Sequence, residues 1–278
     1  MLLYEYLPIH PALKDIVSLI AVMHIDFSAS GMSPVYHFPW MNNTHVFFPL
    51  CADPLLVKSE GDKDFHAHSA AYFVGPKLIN DTADFGRRRD VLGITFKAGV
   101  FPRLMRIPAN ELTNVDIDAT YIFGNSLKET EMKLREAKSN AEMLGIVEVF
   151  LFRIVRSMEK ATPFDRAIDE LLKRNGNLTV ETLAGYACKS TRQLERQCVE
   201  KLGMAPRLFA RLIRFGNAFA MKEVNPHLNW TEIAYRFGYY DQMHLIRDFK
   251  TFTGATPRSL NLLDASSTKM MAVLHGVY

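Results

Sequence analysis

The sequence predicts an α+β protein with two domains. The first is β-rich, a partial barrel with helices appended, and the second is all-α. Three observations carry this reading. Up to about residue 97, short apolar and β-branched runs alternate with turn-forming spacers. Beyond residue 102 the apolar residues fall three and four apart, the helical period. Near the carboxyl end, residues 228–260 repeat the pattern of residues 179–207.

Taken in order, six runs read as strands. They are IVSLIAVMHIDF from Ile16, VYHFPW from Val35, THVFFPL from Thr44, PLLVKS from Pro54, AAYFVG from Ala70 and VLGITF from Val91. The spacers at 28–33, 41–43 and 59–63 are rich in Ser, Gly, Asn and charge, which suits turns in a compact β structure. Residues 126–137 and 142–158 read as helices. In the second, Leu144, Val147, Phe150, Leu151 and Ile154 form a broad apolar stripe that packs on its own domain or on a second copy. The short polar stretch Ser-Met-Glu-Lys-Ala-Thr-Pro from Ser157 marks the domain boundary. The expected division is 1–158, 159–263 and a tail at 264–278 whose docking the sequence leaves open.

The second domain opens with a helix at 164–174, with Ala167, Ile168, Leu171 and Leu172 inward and Asn175-Gly176-Asn177 as its stop. A long helix spans 205–224, with Pro206 in its first turn, where a missing N–H costs little, and Asn225-Pro226 breaking it. After it, Asn229 caps a short helix whose Ile233, Ala234 and Phe237 share a face, and Gly238 supplies the turn. Asp241 then caps a second helix. There Leu245 and Phe249 face inward, while Gln242, His244, Arg247 and Lys250 point elsewhere.

The upstream copy aligns without gaps beyond one turn residue. Leu183 and Ala184 match Ile233 and Ala234 at an offset of 50. After the extra residue the offset is 51, and Leu194, Arg196, Gly203, Pro206 and Arg207 meet Leu245, Arg247, Gly254, Pro257 and Arg258. Two helix–turn–helix units in one chain suit two nearby major-groove segments, and helices about 34 Å apart reach successive grooves on one face of the duplex. DNA is therefore the expected ligand.

The stretch from Gly238 through Pro257, with Tyr240-Asp241-Gln242, Arg247-Asp248-Phe249, Gly254 and Pro257, resembles the signature of the AraC/XylS transcription regulators. The likeness covers about residues 164–263. It implies seven helices in two helix–turn–helix units joined by a long helix, and activation more often than repression. Val74-Gly75-Pro76 and the run 92–105 resemble the sensor-like domain that precedes this unit in some members. Two positions depart from the family pattern: Cys188 stands where glycine is usual, and Lys189 where an apolar residue is usual.

The N-terminal turn of each second helix enters the groove first. In the first unit the candidate contacts are Lys189, Ser190, Thr191, Arg192, Gln193 and Arg196. Arg192 or Arg196 can bond both acceptors of a guanine and Gln193 can pair with adenine, each such contact discriminating by about 1–3 kcal/mol. An arginine that only touches phosphate is the plainer alternative. In the second unit the candidates are Tyr240, Gln242, Met243, His244, Arg247 and Lys250, with Asp241 as a cap and Arg247 on phosphate or an acidic neighbour. The first unit is thus expected to specify sequence and the second to anchor.

Composition is compatible with this and excludes little else. Residues 164–263 hold 15 Lys and Arg against 10 Asp and Glu, while the remainder is mildly acidic. An excess of five charges is also ordinary for a globular domain of that size. With 48% hydrophobic and 23% charged residues, disorder is not indicated. The three cysteines, Cys51, Cys188 and Cys198, lack metal spacing, and the last two are expected to pack as reduced thiols. No apolar run reaches the ~20 residues a membrane span needs, and MLLYEYLPIHPALKD lacks the features of an export signal, so a cytoplasmic protein is expected.

In the β-rich half, His66-Ala67-His68 with Gly61 and Gly75 resembles the start of a cupin metal motif. The later glutamate and histidine are missing, so a solvated loop pair is expected, with no metal and no cofactor. Residues 35–48, rich in aromatics, line either a small apolar pocket or the core. Expected partners are double-stranded promoter DNA, RNA polymerase, a small-molecule effector and a second copy of the chain. Two rival readings remain: a metal-dependent cupin-like enzyme, and a DNA-binding adaptor without effector. A methyl-transfer repair enzyme needs a cysteine cluster that this sequence does not supply.

Overall fold

The structure, a computed structural model, describes residues 2–28 and 33–257. The chain opens with β1 (Leu2–Tyr6), a 3-10 turn (Pro11–Leu13), β2 (Val17–Asp26), β3 (Val35–Phe38), β4 (Thr44–Pro49) and β5 (Leu55–Ser59). It continues through β6 (His66–His68), β7 (Tyr72–Val74), β8 (Asp81–Asp84) and β9 (Arg88–Phe96). Then come α1 (Val100–Met105), α2 (Ala109–Leu112), β10 (Asp116–Asp118), α3 (Thr120–Phe123), α4 (Ser126–Glu136) and α5 (Asn140–Val155). The strands form two antiparallel sheets, ordered β1-β2-β9-β4-β7-β10 and β3-β8-β5-β6, and do not close into a barrel.

The period-two pattern of the central strands decides which core each side chain joins. Leu92, Ile94 and Phe96 of β9, Val46 and Phe48 of β4, and Phe73 of β7 pack on one face against Phe101, Leu127, Leu134, Val147, Phe150 and Leu151. Val91, Phe47, Tyr72 and Val74 fall on the other face, toward the second sheet and its Tyr36, Leu55, Val57 and Ala83. The apolar stripe of α5 thus packs largely within its own half, although Val149 and Phe152 stay exposed.

Four strands escape the pattern reading. β1 pairs with β2 from Leu2 opposite Ile25, and β6, β8 and β10 are polar segments recruited by their partners. His66-Ala67-His68 is therefore a strand on β5 and not a loop pair: backbone pairing does not depend on side-chain polarity.

The C-terminal half holds six helices among the described residues. They are α6 (Pro163–Lys173), α7 (Val180–Tyr186), α8 (Thr191–Leu202), α9 (Pro206–Val224), α10 (Trp230–Arg236) and α11 (Gln242–Thr253). Phe164, Leu171, Leu183, Leu194, Phe209, Phe215, Ile233, Leu245 and Phe249 share one core, and Trp40, Leu78 and Ala98 of the β-rich half pack against it. Arg258, the seventh helix and the tail fall outside the described residues. No helix among those described is long and apolar enough to cross a membrane.

Candidate nucleic-acid interface

Each helix pair is built by local chemistry. Thr179 caps α7 and Ser190 caps α8, where Gln193 closes a capping box by returning its amide oxygen to the Ser190 N–H at 3.0 Å. In the second unit Asn229 and Glu232 form the same box, and Asp241 Oδ1 accepts the His244 N–H at 2.7 Å. These caps free the side chains of the first turns to face outward.

The turns differ. Cys188 adopts a left-handed backbone at φ 54° where the other unit has Gly238 at φ 74°, so the usual turn survives without its glycine. Its thiol is exposed, against the expectation that it packs. Cys198, on the inner face of α8, is buried, and burial pushes its thiol up to about 12. The extra residue of the second turn is Tyr240, since Lys189 and Tyr239 send equivalent N–H groups to the Ala184 and Ala234 carbonyls at 3.0 and 2.9 Å. Where the first unit has Lys189, the second has Tyr239. It is buried between α9 and α11, where desolvation and then the Asp248 carboxylate raise its phenol, while Tyr240 projects into solvent at 86% exposure.

Lys189, Ser190, Thr191, Arg192, Gln193 and Arg196 are all exposed, as are Tyr240, Gln242, Met243, Arg247 and Lys250. Lys189, Arg192, Arg196, Arg247 and Lys250 form no ion pair among the described residues. Arg247 therefore does not pair with an acidic neighbour. Four candidates are partly occupied. Ser190 and the carbonyl of Gln193 are engaged in the cap, leaving the Gln193 NH2 outward. Gln242 Oε1 accepts from Thr231 Oγ1 at 3.0 Å, and half-buried His244 meets the Tyr239 ring edge-on at 5.5 Å.

Residues 183–261 match the helix-turn-helix domain family. That segment is a helix-turn-helix domain. Solved structures similar to the whole chain include ToxT from Vibrio cholerae, at 12% identity and a TM-score of 0.52, covering 88% of this chain and 97% of ToxT. Wild-type ToxT from Vibrio cholerae strain SCE256 bound to an unsaturated fatty acid scores 0.51 at 13% identity, covering 89% and 95%. ToxT from Vibrio cholerae O395 bound to (E)-4-(8-methylnaphthalen-1-yl)but-3-enoic acid scores 0.51 at 14%, covering 88% and 98%. These likenesses establish the fold: a β-rich half ahead of a helical half. No curated protein matches the chain.

Within the helical half, the long helix absorbs charge that composition alone assigns to DNA. Arg211, Arg214 and Lys222 of α9 lie over the rings of Phe252, Tyr239 and Trp230 at 5.4, 5.6 and 5.5 Å. Arg211 also pairs with buried Asp248 of α11 at 2.6 Å. Spacing gives no sign of the Arg211 and Arg214 contacts, since they join residues 25 or more positions apart. Arg236, in the last turn of α10, is also exposed.

In the β-rich half the aromatic stretch divides. Phe38, Met41 and Phe47 line a cavity of about 70 Å³ between the sheets, whereas Tyr36 and Phe48 are core and Trp40 packs on Phe252 at 5.4 Å. His66 Nε2 lies 3.6 Å from Asp62, and His68 leans on Tyr72 at 4.9 Å.

Proposed function

We propose that this chain is a transcription activator that reads two adjacent major-groove segments of promoter DNA with α8 and α11. The observation that carries the reading is the pair of capped helices that present to solvent cations without an ion pair among the described residues, Arg192 and Arg196 on α8 and Arg247 and Lys250 on α11. The first unit specifies sequence through Arg192, Arg196 and the free NH2 of Gln193. The second anchors through Arg247 and Lys250, since Gln242 is tied to α10 and His244 is half-buried. Residues 159–263 form the DNA-binding unit. Residues 1–158 form a sensor, a role supported by the small molecules bound to ToxT in its solved structures and by the cavity between the sheets. Exposed Val149 and Phe152 on α5 suit contact with a second copy, and RNA polymerase is the partner through which activation proceeds.

Base-by-base binding profiles of two variants test the division of labour. Arg196→Ala is expected to relax preference at one position by about 1–3 kcal/mol, while Gln242→Ala weakens all sequences alike. Equal loss of preference in both variants would sink it.

A further inference from the structure

Between the two sheets, Met23, Phe47, Leu55, Val57, Phe85 and Val91 wall an apolar cavity of about 70 Å³, room for about five water-sized groups. One end is different. Lys77 is fully buried, its ammonium 2.9 Å from Asp81 Oδ2 and 2.6 Å from Asp116 Oδ2. Asp81 and Asp116 both line the cavity, and the second oxygen of each is buried without a hydrogen-bond partner among the described residues. Such unsatisfied acceptors are costly in an apolar surrounding. Two carboxylates share one ammonium, so a negative charge is left uncompensated at the cavity's end. The carboxyl of Asp116 responds accordingly: burial, opposed by Lys77 and reinforced by Asp81, raises it to about 6. His68, on the same wall, is held below its ordinary range by burial and by the charges of His66 and Lys77, so it does not supply the missing cation.

We propose that this cavity binds a primary ammonium carried on a short apolar body, its N–H groups donated to Asp81 Oδ1 and Asp116 Oδ1 and its chain lying among Val57, Phe85 and Val91. A second cation satisfies both free acceptors and balances the charge. A carboxylate ligand, by contrast, meets two carboxylates whose buried counter-ion, Lys77, is already engaged. The site deepens the sensor reading of the N-terminal half and rests on it, not on the reading of DNA.

Calorimetric titration of the full chain at neutral pH with butylammonium, butanol and butyrate tests this. Butylammonium is expected to bind one site per chain, about tenfold or more tighter than butanol, with no measurable heat from butyrate. Ala83→Leu fills the cavity without touching the ion pairs and should abolish binding. Asp81→Asn should weaken it about tenfold, with retained DNA binding as the control for folding. The proposal is overturned by no binding to the wild-type chain, by equal affinity for amine and alcohol, by preference for butyrate, or by unchanged binding in Ala83→Leu. Butylammonium binding that leaves DNA affinity unaltered supports the site and removes the sensor reading. Binding in a chain that recognises no DNA supports the site and removes the regulator reading.

Discussion

Positions 188 and 238 hold the same place in two copies of one motif, and they meet different steric demands. Both backbones are left-handed, yet a Cβ at Gly238 would lie 2.4 Å from Asn177 Oδ1, while Cys188 stands clear in solvent. Asn177 is held there by its own bond to the Phe237 carbonyl. Gly238→Ala is therefore expected to destabilise the chain by about 1–3 kcal/mol, through left-handed strain and collision together. An unchanged urea midpoint would contradict this. The thiols make a second prediction. A maleimide should label Cys188 in the native protein and leave Cys198 unmodified, because Cys198 is buried and its thiolate is disfavoured. Mass spectrometry reads the difference, and bound DNA should protect Cys188. Sequence alone could place the turn but not the thiol, since exposure there depends on tertiary packing.

At the scale of elements, what was legible is what local chemistry decides. Ser190, Asn229 and Asp241 cap helices because a short polar side chain reaches the first free N–H groups, and that requires no tertiary knowledge. The polar strands β6, β8 and β10 were not legible, because their pairing is imposed by neighbours distant in sequence. The same holds for the fastening of α11. Arg211 Nε and Nη2 both donate to Asp248 Oδ1, joining the long helix to α11. Arg211→Met strands a buried carboxylate and should cost about 2–3 kcal/mol, a value below that of a fully buried pair because Arg211 is partly exposed. Adding Asp248→Leu should recover most of it. If the double variant is no more stable than the single one in denaturant unfolding, the pair does not act as described.

Across the whole molecule, the docked ends of α8 and α11 are opposite the ends proposed to meet DNA. The β-rich half touches the C-terminal ends: Gly203, just after α8, packs so tightly on Ala109 and Thr113 that a Cβ would lie 2.3 Å from Thr113 Oγ1. Phe252 near the end of α11 accepts the Trp40 N–H at 3.0 Å. The N-terminal turns, which carry Arg192 and Gln242, remain open. The charge asymmetry between the halves was visible in composition, but its distribution was not, since α9 turns three cations inward over aromatic rings. Selection of bound sequences from a random duplex library by the purified chain tests the central claim most directly. The expected result is a two-part motif with segments one helical turn, about 10–10.5 base pairs, apart, bound with an affinity that falls steeply as salt rises. Enrichment of a single short segment, or of no sequence at all, would contradict it.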